Sequence, residues 1–373
     1  MKPVLFVFYF MVMIETSAQD TLRLSLLFAG DIMQHDSQIS AAYRPELGQY
    51  DYQPCFRFIK PMLSKPDLTI GNLELTLAGP PFKGFPQFSA PDEIVEALKD
   101  SGFDVLVTAN NHCVDRGAPG LERTIDLLDR AEMLHTGTFK DTLDWLNNYP
   151  LIIESKGFRL SLLNYTYGTN GMPVSTPNIV NRIDTARIKR DLEKAKSQHT
   201  DAIIIFMHWG QEYQSLPNAW QKALADYCFQ MGAKMVIGSH PHVLQPIEWR
   251  KDHDQLVAYS LGNFVSGQRD RYRNGGTLLY VDLEKILKRD GPPFVAIKDV
   301  NYSLAYVHRA LDARKTYQIL PVRQYEDDTT RLGRKGRELL IQFGDDARKF
   351  YGEENKNVGE RRNSREAETL KNH

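Results

Sequence analysis

The residue types that could bind metal ions or move protons occur in five short groups along this sequence. The groups are Asp31, the pair Asn72 and Glu74, the pair Asn111 and His112, His208, and the pair His240 and His242. Carboxylate, amide and imidazole ligands without a thiolate suit Mn, Fe or Zn, and they suit Cu(I) or an iron–sulfur cluster poorly. The sequence therefore predicts a metal site with mixed oxygen and nitrogen ligands.

Each group follows a short apolar run that predicts a β-strand. The predicted strands are residues 22–29, 68–71, 105–109, 160–164, 202–207, 235–238 and 255–260. Amphipathic stretches between them predict helices that begin at Pro91-Asp92, Pro119, Asp184 and Pro217. This alternation is typical of an α/β fold. Because the carboxyl ends of strands form the ligand crevice of an open α/β sheet, we expect the five groups to converge there.

In the segment His240-Pro241-His242, two histidines are two residues apart with a proline between them. Proline disfavours helical backbone in the residue before it, and in extended backbone two residues that are two apart face the same side. We therefore expect both imidazoles to reach one metal cluster. A site of this composition usually holds two ions about 3.5–4 Å apart with a bridging carboxylate. Either Glu74 or Asp31 could be that bridge.

Longer phrases around the five groups resemble the ordered signatures of the CapA family, which is linked to bacterial capsule and poly-γ-glutamate synthesis. The phrases are Ala29-Gly30-Asp31-Ile32-Met33, Gly71-Asn72-Leu73-Glu74, Ala109-Asn110-Asn111-His112 with Asp115 and Gly117, His208-Trp209-Gly210 with Glu212-Tyr213, Gly238-Ser239-His240-Pro241-His242-Val243, and Ser260-Leu261-Gly262-Asn263-Phe264. Together they cover roughly residues 22–265. Each phrase alone is weak evidence for the family, but the ordered combination of all six is specific to it.

The resemblance implies a four-layer α-β-β-α sandwich like that of metallophosphoesterases, with two divalent metal ions. After residue 264, short apolar runs predict further strands at residues 277–283, 295–297, 303–307 and 318–322, a β-rich completion of the same domain. The resemblance also implies that Asp31 is the carboxylate ligand from the first strand and that Glu74, with Asn72 beside it, stands at the position of the bridging acid. The sequence lacks the Asp-x-His of classical phosphoesterases on the first strand, and His35 is a possible substitute.

The remaining roles also come from the resemblance. Asn111 would be the amide ligand of the second metal, and His112 would protonate a leaving group or steady the transition state. The two metal shells would be completed by His208, His240 and His242.

Each of three neighbouring residues has two possible roles that the sequence does not decide between. Asp115 either holds the His112 imidazole in one tautomer or caps the turn before Gly117. Glu212 either supports the site or is merely exposed, and Asn263 either binds a ligand or caps its loop.

The sequence beside these phrases offers aromatic and basic residues as well. Trp209 and Tyr213 either wall a substrate pocket or pack in the core. The basic stretch of residues 269–273 either presents cations to an anionic substrate or is a solvated loop. His308 belongs to no phrase, and we expect an ordinary packed or surface role for it.

The overall charge limits the kinds of partner that we expect, and the N-terminal residues indicate the location of the protein. A net charge of -1 and a pI near 6.8 give no long-range attraction to nucleic acid, which we do not expect as a partner. Lys2, the apolar residues 4–14 and the small residues 16–18 predict a signal peptide over residues 1–18. We therefore expect export across the inner membrane to a periplasmic or extracellular location.

The rest of the chain divides into a CapA-like domain over residues 19–325 and a tail over residues 345–373. The tail is so rich in charge that we predict disorder.

Two functions from different classes fit these residues. The first is a metal-dependent hydrolase, whose substrate would be a phosphoester or an anionic polymer. The second is a non-enzymatic envelope component that binds or guides an anionic polymer, in company with capsule or polyglutamate synthesis machinery. A metal-dependent amidohydrolase barrel fits poorly, because those enzymes carry their His-x-His on the first strand and here it comes late.

Overall fold

The computed structural model describes residues 20–288, 291–310, 312–313, 315–328, 330 and 332–361. The predicted signal peptide of residues 1–18 and the last part of the predicted tail, residues 362–373, lie outside the described residues. Within the described ranges, no helix combines the length and apolar character that a membrane crossing requires.

The described residues form β-strands throughout the chain. These are β1 (Thr21–Ile32), β2 (Tyr43–Arg44), β3 (Gln49–Tyr50), β4 (Leu68–Leu73), β5 (Val105–Val107), β6 (Leu134–Thr136), β7 (Thr138–Phe139), β8 (Leu151–Ser155), β9 (Phe158–Thr166), β10 (Ile179–Val180), β11 (Ala202–His208), β12 (Met235–Ser239), β13 (Ile247–Arg250), β14 (Gln255–Ala258), β15 (Asn263–Val265), β16 (Gly275–Ile286), β17 (Phe294–Arg309), β18 (Tyr317–Pro321) and β19 (Gly359–Glu360).

Helices lie between many of these strands. They are α1 (Asp36–Ala42), α2 (Gln53–Phe56), α3 (Lys60–Leu63), α4 (Glu93–Ser101), α5 (Gly117–Arg130), α6 (Thr142–Asn148), α7 (Thr185–Ser197), α8 (Ala219–Gln230), α9 (Val322–Tyr325) and α10 (Gly333–Glu354), with one 3₁₀ turn at Lys251–His253. The four predicted helices are α4, α5, α7 and α8, and each begins within two residues of its predicted start.

Two sheets dominate the fold. The first has the order β18-β17-β16-β1-β4-β5-β6, and the second has the order β13-β14-β12-β11-β9-β8. The neighbours β1, β4, β5 and β6 run parallel, as do β9, β11, β12 and β14. Each sheet therefore has a parallel centre whose carboxyl ends share one edge.

Alternating side chains along the central strands show how the sheets are layered. On β1, Leu26 and Phe28 belong to the same buried cluster as Ile204 and Phe206 of β11. This cluster fills the space between the two sheets, because successive strand residues face opposite sides.

The other faces of the same strands are covered by helices. Leu27 of β1 packs in a cluster with Leu98 of α4, and Ile205 of β11 packs in another with Leu192 of α7 and Leu224 of α8. The order is therefore helices, sheet, sheet, helices, and the predicted α/β four-layer sandwich is confirmed.

The C-terminal part differs from the prediction in two respects. The predicted strands 295–297 and 303–307 are parts of one long strand, β17. The prediction of disorder from residue 345 is wrong for residues 345–361, because α10 continues to Glu354 and β19 follows it. Phe343, Ala347 and Tyr351 form an apolar stripe on α10 that packs into the cluster between the sheets. The charged residues between them conceal this stripe in the sequence.

Candidate metal centre

The predicted site residues come together at the carboxyl edge of the two parallel sheet centres. Asp31 lies near the end of β1, and His208 is the last residue of β11. The others lie in β4, just after it, and in the loops that follow β5 and β12; they are Asn72, Glu74, Asn111, His112, His240 and His242. All these side chains are buried. The expected convergence at the strand ends is therefore what the fold produces.

Two groups of ligand atoms lie close enough to hold metal ions. One group is Glu74, His208 and His240, and the other is Asp31, Glu74 and His242; within each group the ligand atoms lie within 4.8 Å of one another. Glu74 belongs to both groups. Of the two candidate bridging carboxylates, Glu74 is therefore the one whose position fits the bridge.

Polar atoms without partners point to the same conclusion. Glu74 Oε1 and His240 Nδ1 are buried and have no hydrogen-bond partner among the described residues. Burying a polar atom without a partner is costly. The Nε2 atoms of His208 and His242 lie 3.6 and 3.8 Å from that same Glu74 oxygen. This donor set fits a metal site, which would give the orphaned atoms their missing interaction.

Burial shifts the pKa values of the ligands in opposite directions. Burial, together with the charge of Asp31, raises the pKa of Glu74 well above its ordinary value. Burial alone would raise the pKa of Asp31 too, but hydrogen bonds from His242 and Asn72 lower it overall. Burial lowers the pKa of His240 to about 3 and that of His208 well below its ordinary value. Both imidazoles are therefore neutral at physiological pH, the form that binds metal.

The two asparagines face the centre with different atoms. Asn72 Nδ2 donates to Asp31 Oδ1 over 2.8 Å, and Asn72 Oδ1 faces Asn110 Nδ2 at 3.4 Å. Asn72 Nδ2 also lies 3.4 Å from Glu74 Oε2 and 3.3 Å from His208 Nδ1, so Asn72 faces the ligand groups with its nitrogen and positions a carboxylate. Asn111 Oδ1 instead lies 2.9 Å from His208 Nε2, so its amide oxygen faces a ligand group as a metal ligand would.

A histidine–carboxylate pair stands beside the centre. His112 Nδ1 lies 2.7 Å from Asp115 Oδ2, which also accepts the backbone N–H of Phe88 over 2.8 Å. A carboxylate oxygen accepts, so Nδ1 carries the proton and Nε2 is the nitrogen left to act on a substrate. The ring of Phe88 packs edge-on against His112 with 4.7 Å between centroids. Of the two roles considered for Asp115, the structure therefore supports the one in which its carboxylate holds the His112 imidazole.

The backbone of the His240-Pro241-His242 segment is not extended, and that expectation is wrong. His240 has φ 98° and His242 has φ 58°, values that residues other than glycine seldom adopt. Contacts with the rest of the protein override the local preference: Asp31 Oδ2 accepts the backbone N–H of His240, and the carbonyl of Pro241 accepts that of Tyr213. The two rings still lie 6.0 Å apart and reach the two ligand groups.

His35 does not replace the missing first-strand histidine in this structure. Its Nδ1 accepts the backbone N–H of Gly267 over 3.1 Å, and among the described residues it belongs to neither ligand group. Burial lowers the pKa of His35 to about 4. The side chain therefore fixes a neighbouring loop.

Three further residues contact the ligands and were missed or left open in the sequence. Asn263 Oδ1 lies 3.1 Å from His242 Nδ1, and Ser239 Oγ lies 3.0 Å from His208 Nδ1. The ring of Tyr167 lies 4.6 Å from that of His240. Tyr167 directly follows β9, so the rule that pointed to the other strand ends could have found it as well.

The aromatic candidates divide between packing and the site. Trp209 is buried, and its Nε1 donates to the carbonyl of Tyr259 over 2.9 Å, so it packs in the core. Tyr213 is 45% exposed, and its ring lies 6.1 Å from that of His242. Tyr213 therefore forms part of the wall of the centre. Glu212 is half-buried and belongs to neither ligand group.

Comparison with solved structures finds distant similarities. A calcineurin-like phosphoesterase, YfkN from Bacillus subtilis, matches with 15% identity and a TM-score of 0.47, over 76% of this chain and 91% of that one. The NAD nucleotidase of Haemophilus influenzae matches with 12% identity and a TM-score of 0.46, over 95% of this chain and 67% of that one. Similarities this distant do not bear on activity.

Sequence comparison is more specific. The capsule biosynthesis protein CapA of Bacillus anthracis is 31% identical over 261 residues, which are 66% of this chain and 60% of that protein. The PGA biosynthesis protein CapA of Bacillus subtilis is 28% identical over 292 residues, 73% of this chain and 70% of that protein. The family described as bacterial capsule synthesis protein PGA_cap matches residues 25–268. The chain belongs to the PGA_cap family of bacterial capsule synthesis proteins, which confirms the resemblance found in its motifs.

Proposed function

We propose that this protein is an exported dinuclear-metal hydrolase with phosphoesterase-like chemistry, acting in capsule or poly-γ-glutamate synthesis or processing at the cell envelope. The single observation that carries the proposal is the shared position of Glu74 in two ligand groups. Mn, Fe or Zn suits these ligands. Export rests on the predicted signal peptide, and the biological setting rests on the names of the relatives.

The residues around the centre divide the chemistry among them. Two divalent ions at such a site would lower the pKa of a bound water and polarise the bond to be cleaved. His112 would move a proton to the leaving group through Nε2, because Asp115 holds its Nδ1. His112 directly follows Asn111, whose amide oxygen lies 2.9 Å from His208 Nε2, so both residues belong to one loop at the edge of the ligand groups. This position places the His112 imidazole beside the centre.

A second function remains a candidate because of how the relatives are named. The Bacillus subtilis relative is called a PGA biosynthesis protein, and that name describes making a polymer rather than cleaving one. In this alternative the centre binds or guides an anionic polymer during export and turns nothing over.

An activity panel separates the two functions. The chain from Gln19 onward is loaded with metal and assayed on phosphomonoesters, phosphodiesters and γ-glutamyl amides, beside His112→Ala. We expect this variant to keep its metal and to lose about 10²- to 10⁴-fold in kcat, the usual contribution of a general acid. His135→Ala is the matched control, since His135 pairs with Asp129 and among the described residues belongs to neither ligand group.

Three other outcomes would contradict the proposal or one part of it. Metal binding without turnover, together with binding of polyglutamate, would establish the polymer-handling function. Equal activity in His112→Ala and wild type would remove His112 from the mechanism. A wild-type chain that binds no metal would refute the assignment of the site.

A further inference from the structure

The loop of residues 269–273 carries three arginines, and two of them are occupied elsewhere. Arg271 forms two hydrogen bonds of 2.8 and 2.7 Å to Asp346 on α10. Arg269 donates to the carbonyl of Val307 over 3.2 Å and lies 4.8 Å above the ring of Tyr317. These two side chains hold the loop to the C-terminal part of the fold.

The third arginine, Arg273, points to the wall of the metal centre. Its guanidinium lies 4.1 Å above the ring of Tyr213, whose ring in turn lies 6.1 Å from that of His242. An arginine stacked on an aromatic ring keeps its N–H donors in the guanidinium plane, where they can grip a carboxylate or a phosphate with two bonds.

Both members of this stacked pair are tied to the centre through backbone contacts. The backbone N–H of Tyr213 donates to the carbonyl of Pro241 over 2.8 Å. The carbonyl of Arg273 accepts Asn263 Nδ2 over 2.8 Å, and the same asparagine contacts His242 through Oδ1. The backbone positions of Tyr213 and Arg273 beside the ligand groups are therefore fixed by the fold.

The ion pair that Arg273 makes within the described residues is weak. Its guanidinium lies 2.9 Å from Asp270, three residues earlier, and the two side chains are 26% and 67% exposed. Exposed pairs of this kind contribute about 0–1 kcal/mol. A substrate oxyanion could displace Asp270 at little cost.

We propose that Arg273 and Tyr213 form an anion-binding subsite beside the metal centre. The subsite takes a carboxylate or phosphate group of the substrate other than the group that is cleaved. This inference rests on the proposed function and extends it, because it gives the substrate at least one further negative charge near the scissile bond.

Calorimetric titration of the metal-loaded protein tests the subsite without requiring turnover. The probes are a γ-glutamyl trimer and glycerol 1,3-bisphosphate, which present carboxylates and phosphates respectively. Arg273→Gln should weaken binding of the preferred probe by about tenfold or more, since a hydrogen-bonded ion pair is lost. Arg273→Lys keeps the charge without the planar fork and should lie between Arg273→Gln and wild type.

Arg23→Gln is the control, because it removes the same charge from a 77% exposed side chain near the start of β1, at the opposite end of that strand from Asp31, and should change the affinity less than about threefold. Three results would overturn the subsite: equal losses in both glutamine variants, no loss in Arg273→Gln, or no binding of either probe by the wild type. Metal content and the activity panel report separately on the proposed function, so the subsite can fail while the hydrolase stands. The probe whose affinity falls more in Arg273→Gln identifies which of the two anions the subsite takes.

Discussion

The core between the two sheets and the metal centre are built from the same strands, yet burial has opposite consequences in the two regions. β1 contributes Leu26 to the core and Asp31 to the centre, and β11 contributes Phe206 and His208 in the same way. In the core, burial removes apolar surface from water at roughly 25 cal/mol per Å² and stabilises the fold. In the centre, burial raises the pKa of Glu74 and lowers that of His240, which opposes their charged forms.

This contrast implies that the fold should not depend on the centre. The apolar layer holds the strand ends in place, and the strand ends hold polar groups, of which Glu74 Oε1 and His240 Nδ1 would gain a partner when a metal binds. Changes in the core should therefore alter stability with little effect on the ligands, and changes in the centre should alter metal binding with little effect on the metal-free fold.

The largest effect is expected from the core. Phe206→Ala removes a fully buried ring between the sheets and should lower the free energy of unfolding by about 3–5 kcal/mol. Denaturant unfolding in the presence of a chelator measures it. The control is Phe294→Ala, whose side chain is 51% exposed and whose loss should cost less than about 0.5 kcal/mol. Equal stability of the two variants would contradict the assignment of the inter-sheet core.

The next effect is expected at Glu74. Metal at about 100 times its dissociation constant should stabilise the wild type by about 2.7 kcal/mol, and Glu74→Gln should lose most of that gain while remaining as stable as the wild type without metal. Thermal unfolding with and without Mn²⁺ measures both quantities. Glu212→Gln is the control and should respond to metal as the wild type does. A metal-free Glu74→Gln chain that fails to fold would show that Glu74 belongs to the core.

A smaller effect is expected at Asp115. Asp115→Asn should lower kcat by about ten- to a hundredfold with little change in KM and metal content, because the carboxylate that accepts from His112 Nδ1 fixes the tautomer of that imidazole. The pH profile of kcat should shift as well, a change that a merely structural role would not produce. Asp129→Asn removes the carboxylate partner of His135, a histidine that is in neither ligand group among the described residues, and is the control. An unchanged pH profile in Asp115→Asn would refute the positioning role.

The smallest effect concerns a buried histidine outside the centre. Burial lowers the pKa of His308 to about 4, so the folded protein favours the neutral ring. Its stability contribution is complete above the unfolded pKa of about 6.5 and is lost as the pH falls toward the folded value.

His308→Gln should therefore lose about 1 kcal/mol less stability than the wild type between pH 6.5 and pH 4.5. Unfolding curves across that range, recorded with and without metal, check this. Because His308 lies outside the ligand groups, the difference should be the same in both series. A difference that appears only with metal would link His308 to the centre.

The sequence predicted the centre better than the C-terminal part because repeated chemistry marks the strand ends. Asp31, His208 and His240 each follow an apolar run, and parallel strands bring such positions together whatever their distance in the chain. Tyr167 was missed although it follows β9. Its residue type alone does not show whether an aromatic side chain at a strand end packs in the core or lines a site. The position of Glu74 between two ligand groups needed the three-dimensional register of β1 and β4.

Two features could not be predicted because they depend on contacts that are remote in sequence. The positive φ of His240 results from a hydrogen bond to Asp31, which overrides the preference that Pro241 imposes. The helix α10 carries only a narrow apolar stripe among many charged residues. That stripe stabilises the helix because it packs into the buried cluster between the two sheets. In both cases local sequence preference was weaker than tertiary packing.

The most direct test counts the metal ions bound by each variant. Elemental analysis of the wild type, His208→Gln, His242→Gln and Glu74→Gln after loading and desalting gives this number. We expect two ions in the wild type, about one in each histidine variant because each removes a ligand of one group, and almost none in Glu74→Gln because Glu74 serves both groups. A Glu74→Gln protein that keeps its full metal content, or a wild type that binds none, would contradict the assignment of a dinuclear site.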